Sequence, residues 1–265
     1  MTTPLGGRTA LVIGANGGIG SAVAQALGIA GARLILAARD TERLDRLAAE
    51  LDAGGISSRT VGVDVTNDDA LAAVVEDAAA EGMAIAVNNA GTAHRPMPLA
   101  ELSTVDADRV LTVTLRATLI AMQHELAALP DGGSIVNVVS TAGLAAAPGM
   151  AAYVAAKHGV VGLTRTAALD YANRGIRVNA VAPGSIDSGG IAAQPDEVKQ
   201  QIGAFVPLAR LGRPEEVAAA VAWLARRADD WRVRPGDWPE TRYEHKAKGE
   251  GRTSLYLRYR RRPRD

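Results

Sequence analysis

Tyr153 and Lys157 stand four residues apart in Tyr153-Val154-Ala155-Ala156-Lys157, inside a stretch that reads as a helix running past Gly162. Positions i and i+4 share a helix face, so a phenol and an ammonium at this spacing can meet. A free phenol titrates at about pH 10 and is a poor base at neutrality. A neighbouring cation stabilises the phenolate and draws its pKa toward the working range, which would make the pair a proton-transfer device. Taken alone, such a pair is usually a surface accident. Ser140, 13 residues upstream at the end of a β-branched run, adds a hydroxyl and weakens that explanation.

A second group of residues suits a phosphate ligand. The first β-branched run enters Gly14-Ala15-Asn16-Gly17-Gly18-Ile19-Gly20, and a helical stretch follows. Glycines let the backbone turn sharply and approach a pyrophosphate, which then sits at the helix N-terminus against its free N–H groups. Gly14, Asn16, Gly17, Gly18, Ile19 and Gly20 are therefore candidate cofactor contacts, although a Gly-rich strand-to-helix turn also occurs without any ligand. The next run ends Ala38-Arg39-Asp40. A carboxylate there would accept from the ribose 2′-OH of NAD, whereas an arginine would pair with the 2′-phosphate of NADP. If Asp40 instead caps the following helix, Arg39 is left to face the cofactor, and NADP is the expected form with NAD the alternative. Asp64 and Val65 close the third run, where the carboxylate either accepts from an adenine amino group or is a turn aspartate before Thr66-Asn67. Asn88-Asn89-Ala90-Gly91 closes the fourth, and its small residues suit a backbone passing close beneath a bound ring.

The elements that must position these residues alternate regularly. Short β-branched runs at 10–13, 33–36, 60–63, 84–87, 134–139 and 177–181 are separated by alanine-rich helical stretches. Continuous apolar runs are the mark of buried parallel strands, and the βαβα alternation predicts an α/β fold: a single doubly wound parallel sheet with helices on both faces. Ligands of such sheets bind beyond the carboxyl ends of the strands, which is where the candidate residues fall. With no cysteine, a disulfide framework and a thiolate metal site are both excluded. His94, His124, His158 and His245 show no metal-ligand spacing. No apolar run approaches the roughly 20 residues of a membrane span, and the first residues lack a charged leader, so no membrane partner and a cytoplasmic address are expected.

Taken together, these motifs resemble the short-chain dehydrogenase/reductase family over residues 5–225. The resemblance rests on Gly14, Gly18 and Gly20, on Asn88-Asn89-Ala90-Gly91, on Ser140 with Tyr153 and Lys157, on residues 177–184 (RVNAVAPG) and on residues 213–217 (RPEEV). It implies an oxidoreductase moving a hydride between NADP(H) and a small to medium secondary alcohol or ketone. Tyr153 would be the general acid in reduction and the base in oxidation. Lys157 would hold the nicotinamide ribose and depress the tyrosine's pKa, and Ser140 would hydrogen-bond the substrate oxygen. Asn89, Ala90 and Gly91 would underlie the cofactor, and Pro183, Gly184, Ile186 and Ser188 would wrap the nicotinamide. Residues 92–97, 142–150 and 188–205 would line the substrate pocket, the last as a mobile lid. The resemblance also implies a homo-oligomer.

The chain departs from the family pattern in several places. Ser188 stands where threonine is usual and keeps a hydroxyl; Ile13 replaces a threonine before the first glycine. Thr114 replaces an asparagine that holds the water of a proton relay to the lysine, so it is counted with the catalytic residues and the relay is expected to be slower. A catalytically impaired, cofactor-sensing protein of the same fold is the alternative reading, but retention of Ser140, Tyr153 and Lys157 favours the enzyme. Residues 226–265 form an atypical tail beyond a domain of residues 1–225. They hold 13 Lys/Arg against 7 Asp/Glu and 5 of the chain's 9 aromatics, in place of the family's final strand. The shift suggests either a frameshifted reading or a genuine replaced tail, which would weaken the oligomer. A short basic cluster of this kind is more often a solvated terminus than a nucleic-acid site, so no nucleic-acid partner is expected.

Overall fold

The computed structural model describes residues 3–226. Six parallel strands form one sheet: β1 (Thr9–Ile13), β2 (Arg33–Ala38), β3 (Ser58–Gly62), β4 (Met83–Asn88), β5 (Ser134–Val138) and β6 (Arg177–Val181). Their order is β3-β2-β1-β4-β5-β6. Each lies within about two residues of the run that β-branching marks in the sequence, because burial on both faces requires contiguous apolar residues. Helices α1 (Gly18–Ile29), α2 (Thr41–Ala53) and α3 (Asp68–Ala80) join the first four strands. Between β4 and β5, α4 (Thr104–Val110) passes through a π-helical turn (Leu111–Arg116) into α5 (Ala117–Ala128). After β5 come α6 (Ala151–Asp170), then β6, α7 (Gly189–Ala192), α8 (Asp196–Ala204) and α9 (Pro214–Ala225).

Successive strand residues face opposite sides of the sheet. Ala10, Val12, Leu34, Leu36, Val87 and Val136 pack beneath α1, α2 and α9. Leu11, Ile13, Ile35, Ala37, Ala86 and Ile135 pack beneath α3, α5 and α6. Alanines and valines dominate both layers, and α1 lies directly against α9 through such small side chains.

The chain moves outward from β1 to β2 and β3, then returns to the other side of β1 with β4. The loops after β1 and β4 consequently diverge, and the crevice between them is where such sheets take ligands. Arg226 closes α9. The remainder of the tail, with the expectation of a replaced final strand, lies outside the described residues.

Candidate active site

A cleft of about 1110 Å³ runs along the carboxyl ends of the strands. At one end its walls carry Arg39, Asp40, Arg43 and Asp64; at the other, Ser140, Tyr153 and Lys157. Between them lie Gly14, Asn16, Gly17, Gly18, Ile19, Val65, Asn89, Ala90 and Gly91, with Pro183, Gly184, Ile186 and Ser188 on the facing side. Two candidates do not line the cleft: Gly20 and Thr114.

The floor is built around Gly14. Its φ of +82° is a conformation that only glycine adopts at little cost, and a Cβ there would stand 2.6 Å from the Ala90 nitrogen. Asn89 Nδ2 donates to the Gly14 carbonyl at 2.8 Å, which locks the β1 and β4 loops together. Gly20 lies beneath this contact. A Cβ on it would fall 2.1 Å from the Gly14 oxygen, so its role in the structure is close packing of α1 against the loop. The N-terminus of α1 receives no side-chain cap and has no acidic residue in its first turn. Its free N–H groups and dipole open onto the cleft and suit the pyrophosphate of a dinucleotide.

At the adenosine end, the Asp40 carboxylate caps α2 by accepting from the Arg43 N–H at 3.0 Å. Arg39 is exposed in the cleft wall. Asp64 accepts from the amide of Thr66 at 3.0 Å and its hydroxyl at 2.8 Å. Those bonds hold its carboxyl below the ordinary value, and the Arg39 charge adds to the effect.

At the catalytic end, α6 presents Tyr153 and Lys157 on one face, the ammonium 5.8 Å from the ring centroid. The lysine is not directed at the phenol oxygen: its Nζ donates to the Val138 carbonyl at 2.8 Å. Burial lowers its pKa to about 8. Burial also raises the Tyr153 pKa above its ordinary 10.0, and the hydrogen bond with Ser140 partly offsets this. The expectation that Lys157 depresses the phenol's pKa is therefore not met in this geometry. A carbonyl on β5 takes the ammonium, and Ser140 supplies the counteracting bond. The Ser140 hydroxyl also accepts from the Ala142 N–H at 3.1 Å, which fixes its position at the end of β5.

Thr114 lies in the π-helical turn and is fully buried. Its hydroxyl donates to the Thr92 carbonyl at 3.0 Å and accepts from the Thr92 N–H at 3.0 Å. The Thr118 hydroxyl donates to the Thr114 carbonyl at 2.9 Å. Thr114 is thus a clamp on the loop after β4, out of reach of the cleft. Residues that sequence reasoning did not single out also contribute. Arg109 donates to Thr92 Oγ1 at 2.8 Å and to the Ala93 carbonyl at 3.2 Å, and no sequence spacing signals that tie. His94, noted in the sequence only for lacking metal-ligand spacing, lines the cleft.

A doubly wound sheet with a glycine floor, an uncapped helix and a Ser-Tyr-Lys cluster defines a dinucleotide-dependent enzyme class. A family model described as enoyl-(acyl carrier protein) reductase matches residues 14–231. The cis-4-hydroxycyclohexanecarboxylate dehydrogenase of Sinomonas cyclohexanicum is 41% identical over 82% of this chain and 89% of its own. The cyclohexanol dehydrogenase of an Acinetobacter strain is 36% identical over 84% of this chain and 90% of its own. Among solved structures, a short-chain dehydrogenase/reductase from Serratia marcescens superimposes with a TM-score of 0.79 at 32% identity, covering 84% of this chain and 92% of that one. An actinorhodin polyketide ketoreductase variant with NADPH does so with 0.79 at 33%, covering 85% and 92%. The chain belongs to the short-chain dehydrogenase/reductase family and is an oxidoreductase acting on CH–OH and carbonyl groups.

Proposed function

We propose that this protein interconverts secondary alcohols and ketones with NADP(H), with Tyr153 as the general acid and base. The observation that carries the reading is the convergence of Ser140, Tyr153 and Lys157 at one end of a cleft whose middle is an uncapped helix N-terminus. When bound, the cofactor supplies or accepts the hydride. The protein's own groups orient the substrate and move the proton. The Ser140 hydroxyl donates to the substrate oxygen and polarises it, while Tyr153, protonated at neutral pH because it is buried, delivers its proton to that oxygen in reduction. In oxidation the phenolate takes the proton back. Lys157 holds positive charge beside the phenol, and the Val138 carbonyl keeps its ammonium in place. Thr114 acts as a positioning residue through Thr92.

The use of Asp40 as a helix cap, beside an exposed Arg39, supports NADP(H) over NAD(H). A related ketoreductase has been crystallised with NADPH. One charge-assisted bond to the 2′-phosphate contributes roughly 1.5–3 kcal/mol, or about 10- to 150-fold in affinity. Arg39→Ala is expected to erase a preference of that size, measured as the ratio of kcat/KM with NADPH and NADH. A preference for NADH in the unmodified protein would overturn the assignment. Two relatives are named for cyclohexanols, which supports an alicyclic secondary alcohol as substrate. Turnover of a panel of cyclic alcohols and ketones, followed by nicotinamide absorbance, tests the reading as a whole.

A further inference from the structure

His94 and Arg95 lie on the loop after β4, and the steps proposed above leave both unused. The Met97 N–H donates to the Gly149 carbonyl at 3.0 Å, so this loop is fixed to the segment that opens α6 and leads to Tyr153. Arg109 and Thr114 secure its other end through Thr92 and Ala93. His94 is only 5% exposed, yet it lines the cleft. Its Nδ1 lies 2.8 Å from the Arg95 carbonyl. A carbonyl can only accept, so Nδ1 carries a proton. Nε2 is left buried without a hydrogen-bond partner among the described residues. Buried polar atoms are almost always paired, so an orphan in a ligand cleft marks a missing partner. Arg95 is exposed in the same cleft wall. Its guanidinium has no ion pair or hydrogen bond among the described residues, whereas that of Arg109 pairs with Asp106 at 3.2 Å.

We propose that His94 Nε2 and the Arg95 guanidinium form a subsite for a carboxylate that the substrate carries away from its reacting carbon. The proposal rests on the secondary-alcohol reading and narrows its substrate to hydroxy or keto acids. The planar fork of Arg95 matches the two oxygens of a carboxylate. An anion placed there also draws a proton onto Nε2, so that the imidazolium becomes a second donor, and the nearby Asp106 favours the same form. One unpaired cation and one imidazole match a single negative charge better than a phosphate dianion.

Reduction of 4-oxocyclohexanecarboxylate is to be compared with that of its methyl ester, in the unmodified protein and in Arg95→Gln and His94→Leu. The acid is expected to exceed the ester at least tenfold in kcat/KM. The acid-to-ester ratio should fall by about 10- to 150-fold in Arg95→Gln, mainly through KM, and should fall in His94→Leu as well. A folding defect would lower both substrates together and leave the ratio intact. A ratio near one in the unmodified protein, or one that survives Arg95→Gln, overturns the subsite. If neither compound turns over with either cofactor, the proposed function fails, and calorimetry with cyclohexanecarboxylate then decides the subsite. Binding that disappears in Arg95→Gln supports it; no binding to the unmodified protein overturns it.

Discussion

Tyr153 is raised by burial and lowered by Ser140, so its proton is retained through neutral pH and its removal is an alkaline event. Reduction consumes that proton, and its kcat/KM should be level near neutrality and fall on the alkaline side. Oxidation needs the phenolate, and its kcat/KM should climb as pH rises. Ser140→Ala removes the lowering bond and is expected to move both limbs further alkaline, besides reducing the rate. A profile displaced toward acid would show that Ser140 does not act on Tyr153 in this way. Tyr153→Phe should abolish turnover while leaving cofactor affinity nearly intact, because it deletes a proton donor to the transition state rather than a binding contact. Turnover within a few-fold of the unmodified protein would refute the assigned role.

The elements hold these groups in register through a few backbone contacts. The β1 loop, the β4 loop and the start of α1 meet where Asn89 bridges to Gly14 above Gly20. Gly20→Ala would drive a methyl into the Gly14 carbonyl and toward Asn89 Nδ2, 2.9 Å away. Such overpacking against backbone typically costs about 1–3 kcal/mol. Both the midpoint of unfolding and the affinity for NADPH should fall, since the displaced atoms are those of the cofactor floor. A variant with unchanged melting and nucleotide binding would mean that the loop gives way freely. The π-helical turn between α4 and α5 is a second such device. It presents the Thr114 hydroxyl to Thr92 and hands the Thr114 carbonyl to Thr118, which fixes the loop bearing His94 and Arg95.

Across the whole molecule, a buried polar chain ties both layers of one sheet face together. Asn88 on β4 donates to Glu125 on α5 at 3.0 Å and to Asn137 on β5 at 3.0 Å. Asn137 in turn donates to Thr164 on α6 at 2.9 Å. Glu125 is fully buried with no cation beside it, and desolvation raises its pKa from 4.5 to about 7. A carboxyl whose folded pKa is raised stabilises the native state below its unfolded pKa, and that stability is lost as pH climbs through the folded value. The window is therefore about pH 4.5 to 7, and the loss across it is roughly 3 kcal/mol. Denaturant unfolding should show greater stability at pH 5 than at pH 8 from this group. Glu125→Gln should flatten that slope and be the more stable form at pH 8. An unchanged slope in the variant would mean that Glu125 ionises without penalty.

The six strands, the glycine turn and the Tyr153/Lys157 pair are legible in the sequence because each is a local matter. Burial on both faces demands a contiguous apolar run, a positive φ demands glycine at Gly14, and four residues make one helical turn. The helical cap at Asp40 is local in the same sense, and the sequence already contained it as one of two readings. The direction of the Lys157 ammonium was decided instead by the Val138 carbonyl, which a different element brings to it. Thr114 lies where the family's relay residue falls in the sequence, yet packing of the π-helical turn against the β4 loop commits its hydroxyl to Thr92. The orphaned Nε2 of His94 and the neutralised carboxyl of Glu125 have no sequence signature at all. Whether a polar atom is buried, and whether anything answers it, is set by the sum of neighbours from distant parts of the chain, and only the folded structure assembles them.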